Sequence, residues 1–180
     1  EEGRKEFQKA VELSPDQEHV RLVLADRYVA LGRRDGAERE LSGLVADMNS
    51  HKARKALAEL KLAAGQVAET KPLVSAILED DEHDPVGIYL KGRIALAEND
   101  VPQAVGLFEE SIGRNATLSG PHLYLGLARL AQGRVDSAQE ALHEAIRLQP
   151  DNEAAHLTLA KLYLAQQKQA EAEKEAWQAL

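Results

Sequence analysis

Cysteine is absent from all 180 residues, which removes disulfide frameworks, thiolate metal sites and cysteine nucleophiles together. Aromatic residues are scarce at 4%, with one Trp, two Phe and four Tyr, so packing must rest on smaller side chains than rings. Long apolar runs are missing as well. No stretch approaches the ~20 apolar residues that span a bilayer, and Glu1-Glu2-Gly3-Arg4-Lys5 lacks the features of a secretory leader. A segment that does not insert into a membrane is therefore expected. The formal charge is −8, and a small negative excess recurs along the whole chain rather than in one tail. Such a surface repels phosphate backbones, so a nucleic-acid partner is not expected.

Chemical motifs are lacking too. There is no phosphate loop, nucleophile elbow or dinucleotide fingerprint. His143-Glu144 is followed by Ala145, Ile146 and Arg147, which breaks the zinc-helix pattern at its last ligand. The acidic run Glu79-Asp80-Asp81-Glu82-His83-Asp84 has the composition of a cation site but lacks the glycine and alternating spacing of a calcium loop. The expectation is no enzyme, no cofactor and no metal, with the run serving as a solvated turn.

What the chain does have is apolar content of 44%, carried mainly by Ala and Leu, the composition of closely packed helices. It also has a repeat. Gly32, Gly65, Asn99 and Gly133 are separated by 33, 34 and 34 residues, and one further step of 34 reaches Gln167. A column of small residues runs seven positions earlier through Ala25, Ala58, Gly92, Gly126 and Ala160. Another runs through Ala37, Thr70, Ala104, Ala138 and Ala172, five positions after the glycine column.

Each unit reads as two helices. In the first, the i, i+3, i+4, i+7 positions form a packing face, as in His156, Leu159, Ala160 and Tyr163. The glycine column then ends the helix with a left-handed residue. Asn99 suits that conformation and Gln167 suits it poorly. Second helices follow, as in 136–148, where Ala138, Leu142, Ala145 and Ile146 share a face. Ser50, Asp84 and Asn152 are N-caps for first helices, Pro85 fits N1, and Gly120-Pro121 starts the fourth unit. His122 and His156 fall at one register position in adjacent units, where a packing role is expected rather than shared ligation.

With these columns in view, the sequence resembles the tetratricopeptide repeat family. Leu125, Gly126, Gly133, Ala138, Leu142, Ala145 and Pro150 carry the likeness in the fourth unit. Gly92, Ala104, Phe108 and Ser111 carry it in the third, and Tyr163, Ala172 and Ala179 in the fifth. Phe7, Ala10 and Pro15 fit the end of a repeat whose first helix is missing. The resemblance implies an all-α, right-handed superhelical solenoid of antiparallel helix pairs, with about eleven helices. The units run 1–17 (second helix of a truncated repeat), 18–50, 51–84, 85–118, 119–152 and 153–180, the last also truncated. Opening and stopping inside repeats, the chain reads as a piece of a longer array. Thr70 and Glu82 depart from the family pattern in the second unit, and the first unit is one residue short. The alanine- and leucine-rich style is similar to bacterial cell-envelope arrays, including those of exopolysaccharide export and exosortase systems, which points to the periplasm or envelope.

The resemblance also implies a non-catalytic scaffold for a protein or peptide, bound along the inner face of the first helices. That inner row reads Leu22, Asp26, Val29; Lys55, Glu59, Leu62; Tyr89, Arg93, Leu96; Leu123, Leu127, Leu130; and Leu157, Lys161, Leu164. The fourth unit is apolar on both faces, and a helix apolar all round is normally covered. The candidate is a groove centred on Leu123, Leu127 and Leu130, flanked by Tyr89, Arg93 and Lys161 and extended by Leu96, Leu157 and Leu164. Cover of these leucines by the protein's own neighbouring helices is the open alternative. Lys55 could serve a clamp for a C-terminal carboxylate, but Glu59 stands where the family's clamp asparagine would be. Self-association through exposed repeat faces is the alternative function.

Overall fold

The computed structural model describes residues 17–179. Among them are ten α-helices and no strand, namely α1 (Gln17–Ala30), α2 (Arg34–Met48), α3 (His51–Ala63), α4 (Val67–Asp80) and α5 (Pro85–Ala97), then α6 (Val101–Arg114), α7 (Ser119–Ala131), α8 (Val135–Leu148), α9 (Glu153–Ala165) and α10 (Gln169–Gln178). The helix expected within residues 1–17 lies almost wholly outside the described residues. Two compact units divide the chain, one ending at Asp80 and one beginning at Asp81. In the first, α1 pairs with α2 and α3 with α4, and α2 packs on α3. In the second, α5, α7 and α9 each pair with the helix that follows, while α6 packs on α7 and α8 on α9.

The three sequence columns turn out to be three physical devices. All five residues of the glycine column have positive φ: Gly32 67°, Gly65 74°, Asn99 65°, Gly133 72° and Gln167 61°. The N–H after each reaches back to a carbonyl of the ending helix. These bonds are Arg33 to Tyr28, Gln66 to Lys61, Asp100 to Ala95, Arg134 to Arg129 and Lys168 to Tyr163, at 2.8–2.9 Å. Gln167 therefore adopts the left-handed turn although its side chain disfavours it. The fold imposes the conformation.

The two small-residue columns are buried in every unit. The reason is close approach. A Cβ on Gly92 would sit 2.7 Å from the Phe108 ring, and one on Gly126 would sit 2.8 Å from Leu142 Cγ and 3.2 Å from the Ala138 carbonyl oxygen. Each large residue of a second helix fills the space its partner glycine leaves. Thr70 replaces Ala in one of these columns, and Ser111 takes an alanine position of the family pattern. Their buried hydroxyls are satisfied by donating to the Gln66 carbonyl at 2.9 Å and the Pro85 carbonyl at 2.6 Å.

The short spacing of the first unit has a local cause. Two residues join α2 to α3, against four between α4 and α5, α6 and α7, or α8 and α9. Asn49, left-handed at φ 49°, closes that abbreviated turn. Ser50, Asp84 and Asn152 accept the backbone N–H of Ala53, Gly87 and Ala155, and Asp100 caps α6 in the same way through Gln103. The fourth unit differs from expectation. Helix α7 begins at Ser119 after Leu118, with no side-chain cap, and Gly120 and Pro121 lie inside its first turn.

Each unit has its own stabilising chemistry. In the first, an apolar core of Ala25, Ala37, Leu41, Leu44, Ala53 and Leu57 is bordered by ion pairs between helices. Arg21 meets Glu40 and Asp47, Lys61 meets Glu38 and Glu69 at 2.6 and 2.7 Å, and Arg54 meets Asp80. Lys61 is raised above the ordinary lysine value by its bonds to Glu38 and then Glu69. In the second unit, Leu123, Leu142, Ala145, Ala155, Leu159, Leu162, Tyr163 and Ala172 form an apolar core across α7 to α10. Among the described residues, no helix is long and apolar enough to cross a membrane.

Candidate functional site

The positions expected to face inward in the second unit lie on α5, α7 and α9, and those on α9 are the most exposed. On α5, Tyr89 is buried, and Arg93 and Leu96 are half-buried. On α7, Leu123 is buried in the core, and Leu127 and Leu130 are half-buried against it. On α9, Leu157 is 39% and Leu164 56% exposed, and Lys161 is exposed too. Leu123 belongs to the same buried cluster as Ala155, Leu159 and Leu162 of α9, whereas Leu157 and Leu164, one period after Leu123 and Leu130, are exposed.

Around Arg93 the row becomes a built structure. Tyr89, Phe108 and Tyr124 pack as three tilted rings with centroids 5.8–6.3 Å apart. The Arg93 guanidinium carbon lies 4.4 Å from the Tyr124 centroid and 5.6 Å from that of Tyr89. Its Nη1 donates to the Tyr89 hydroxyl at 3.3 Å. Gly120 explains how Tyr89 fits, because a Cβ there would stand 3.0 Å from both Cζ and the hydroxyl. Sequence reasoning misses Tyr124, since it lies between the packing and inner faces of α7. The nearest available signal is its i, i+3 relation to Leu127 on that helix, which does not show what crosses from α5.

Other sequence features resolve into structure. His156 is buried, with Nδ1 2.7 Å from a Glu175 carboxylate oxygen and Nε2 2.9 Å from the Pro150 carbonyl oxygen, so it ties α10 to the turn before α9. His122 is half-buried, with Nε2 3.4 Å from the Ala116 carbonyl oxygen. Within the acidic run, Asp80 pairs with Arg54, Asp81 accepts the His83 N–H and Asp84 caps α5. Among the described residues, no group of three or more His, Asp or Glu is arranged to hold a metal.

A model of the tetratricopeptide repeat matches residues 1–60 and 129–176, more than half of the chain. No curated protein sequence matches it. Solved structures do. TTC0263, a thermophilic TPR protein of Thermus thermophilus, is similar with a TM-score of 0.77 and 23% identity over 91% of this chain and 90% of that one. MamA gives 0.58 and 21% identity over 87% and 92%. IFIT1 with Gppp-AAAA gives 0.75 and 19% identity over 96% of this chain and 44% of that one. At these identities the likeness is one of fold. The IFIT1 structure means that the fold alone does not exclude nucleic acid, so the expectation of none rests on the charge of −8.

Proposed function

This chain belongs to the tetratricopeptide repeat family, and on that premise we propose that it is a non-catalytic scaffold holding a protein or peptide along the inner face of α5, α7 and α9. The observation that carries this reading is that half-buried Leu127 and Leu130 share the expected inner register of the first helices with the cations Arg93 and Lys161. Apolar side chains bordered by charge suit an amphipathic segment, with burial supplying affinity and charge supplying register. Nucleic acid is not the partner proposed. The alanine- and leucine-rich, degenerate style supports a place in a larger bacterial multi-repeat protein serving assembly or export at the cell envelope. Recovery in the periplasmic fraction tests that placement.

The test of the groove is Leu127→Asp in a pull-down from the native lysate. Captured partner is expected to fall while the helical circular dichroism signal is kept, and Glu140→Lys on the exposed side of α8 should change little. Capture that is undiminished by Leu127→Asp with Leu130→Asp, in a folded protein, would place the contact elsewhere.

One observation favours a second reading, self-association. Leu157, Leu164 and Trp177, the last 74% exposed, leave apolar surface open on the hairpin of α9 and α10. Particle mass that grows with concentration in light scattering, without any heterologous partner, supports it.

A further inference from the structure

The turn between α1 and α2 borders a cavity of about 390 Å³, open to solvent, whose lining includes Tyr28, Arg33, Arg34, Asp35, Gly36 and Arg39. That volume falls among those of small-molecule sites, which run from about 300 to 1,000 Å³. Packing explains part of the lining. Gly36 is buried, and a Cβ there would stand 2.8 Å from Tyr28 Cγ, so the missing side chain lets the tyrosine lie against the first turn of α2.

Packing does not explain the arginines. The less exposed cations of the protein meet carboxylates of neighbouring helices, Arg21 with Glu40, Lys61 with Glu38 and Arg129 with Glu109. Arg33, Arg34 and Arg39 are exposed, and among the described residues none of their side chains makes an ion pair or a hydrogen bond. Two of them also stand at the wrong end of a helix. Arg33 is the N-cap of α2 and provides no side-chain cap, and Arg34 is the first residue of that helix. The unsatisfied N–H groups and the dipole of a helix start favour anions and disfavour cations. The repeat does not require the arrangement, since the other units carry Val67, Val101, Val135 and Gln169 at the register of Arg34. An anion in the cavity would offset both the mutual repulsion of the arginines and their misfit with the helix.

We propose that this cavity is a phosphate site, taking a phosphate group either free or carried on a small organic molecule. Three arginines and Asp35 leave a net of two positive charges around it, a local reversal in a chain of net charge −8. A phosphate monoester carries about two negative charges at neutral pH, so the charges match. Arginine forks bind phosphate oxygens in pairs, and the first-turn N–H groups of α2 add donors of the same preference. The site belongs to the first unit and uses none of the residues on α5, α7 and α9, so it and the scaffold reading stand or fall separately.

The experiment titrates the full chain with phenyl phosphate and with inorganic phosphate, against sodium chloride at matched ionic strength. Calorimetry reads the affinity, and the melting temperature reads the stabilisation that binding brings. Wild type is expected to bind at one site and to melt higher as either phosphate is added, with no such rise in chloride. Arg34→Gln should weaken binding about tenfold, the effect of one charge-assisted bond. Its melting temperature without phosphate should be equal or higher, because a cation has left the helix start, which separates the loss from a folding defect. Asp35→Asn should strengthen binding, since a like charge leaves the site. Tighter binding of phenyl phosphate than of inorganic phosphate would identify the carried group as the ligand, and equal binding the free ion. Phosphate that acts no differently from chloride would overturn the proposal, as would affinity that is unchanged in both Arg34→Gln and Arg39→Gln.

Discussion

Among single residues, the molecule places small side chains where helices touch and left-handed residues where they end. Gly126 faces Leu142 and the Ala138 carbonyl, the latter being backbone that cannot step aside. Gly126→Leu should therefore lower thermal stability more than Gly92→Ala, by about 1 to 3 kcal/mol for the overpacked leucine. Melting temperatures of the two variants check this, and equal values would mean the register of the small column is wrong. Gln167 carries the opposite lesson. It holds φ at 61° without the freedom of glycine, and a left-handed residue with a Cβ costs about 1 to 2 kcal/mol. Gln167→Gly should raise the melting temperature, and Asn99→Gly should raise it less, because asparagine tolerates that conformation.

Among the helices, α4 is the informative one. Pro72 lies in its interior, where the ring removes a hydrogen bond and crowds the preceding turn, at a cost of about 3 kcal/mol or more in an unsupported helix. The helix continues through it because Thr70, Val74 and Ile77 are buried on one face, so packing outweighs local propensity. Pro72 is exposed and contributes little burial of its own. Pro72→Ala is therefore expected to stabilise the protein, read as a higher midpoint in chemical denaturation. An unchanged or lower midpoint would show that α4 is bent to suit the proline.

Across the molecule, Lys61 gives the first unit an expected dependence on pH. Lys61 is held above its ordinary value of 10.5 by Glu38 and Glu69, so the folded state binds that proton more tightly than the unfolded chain. Its contribution is present in full below 10.5 and is lost as pH rises through the higher folded value. Wild type should thus melt above Lys61→Met at neutral pH, and the gap should narrow on the alkaline side of 10.5. A constant gap would show that Lys61 acts by packing its methylenes rather than by charge. The second unit contains no counterpart of this triad at the comparable position of α7. Arg129 there meets Glu109 and the Ser137 carbonyl.

The repeat was legible in the chain alone, because helix ends and close contacts obey local rules. Left-handed turns require particular residues, a helix pair in contact requires small ones, and both recur at fixed spacing. The same rules reach the family, the all-α class and three of the side-chain caps, and they name a row of first-helix positions. They do not reach the fate of that row. Leu123, Leu127 and Leu157 look alike as leucines on first helices, yet one is core, one half-buried and one open. The difference depends on whether another hairpin lies across them, which is a long-range fact. Nor do local rules assign Arg93 its neighbours. Tyr124 is 31 positions away, and only the packing of α7 beside α5 brings its ring beneath the guanidinium. Spacing along a chain fixes which face a residue occupies, and tertiary packing decides what that face meets.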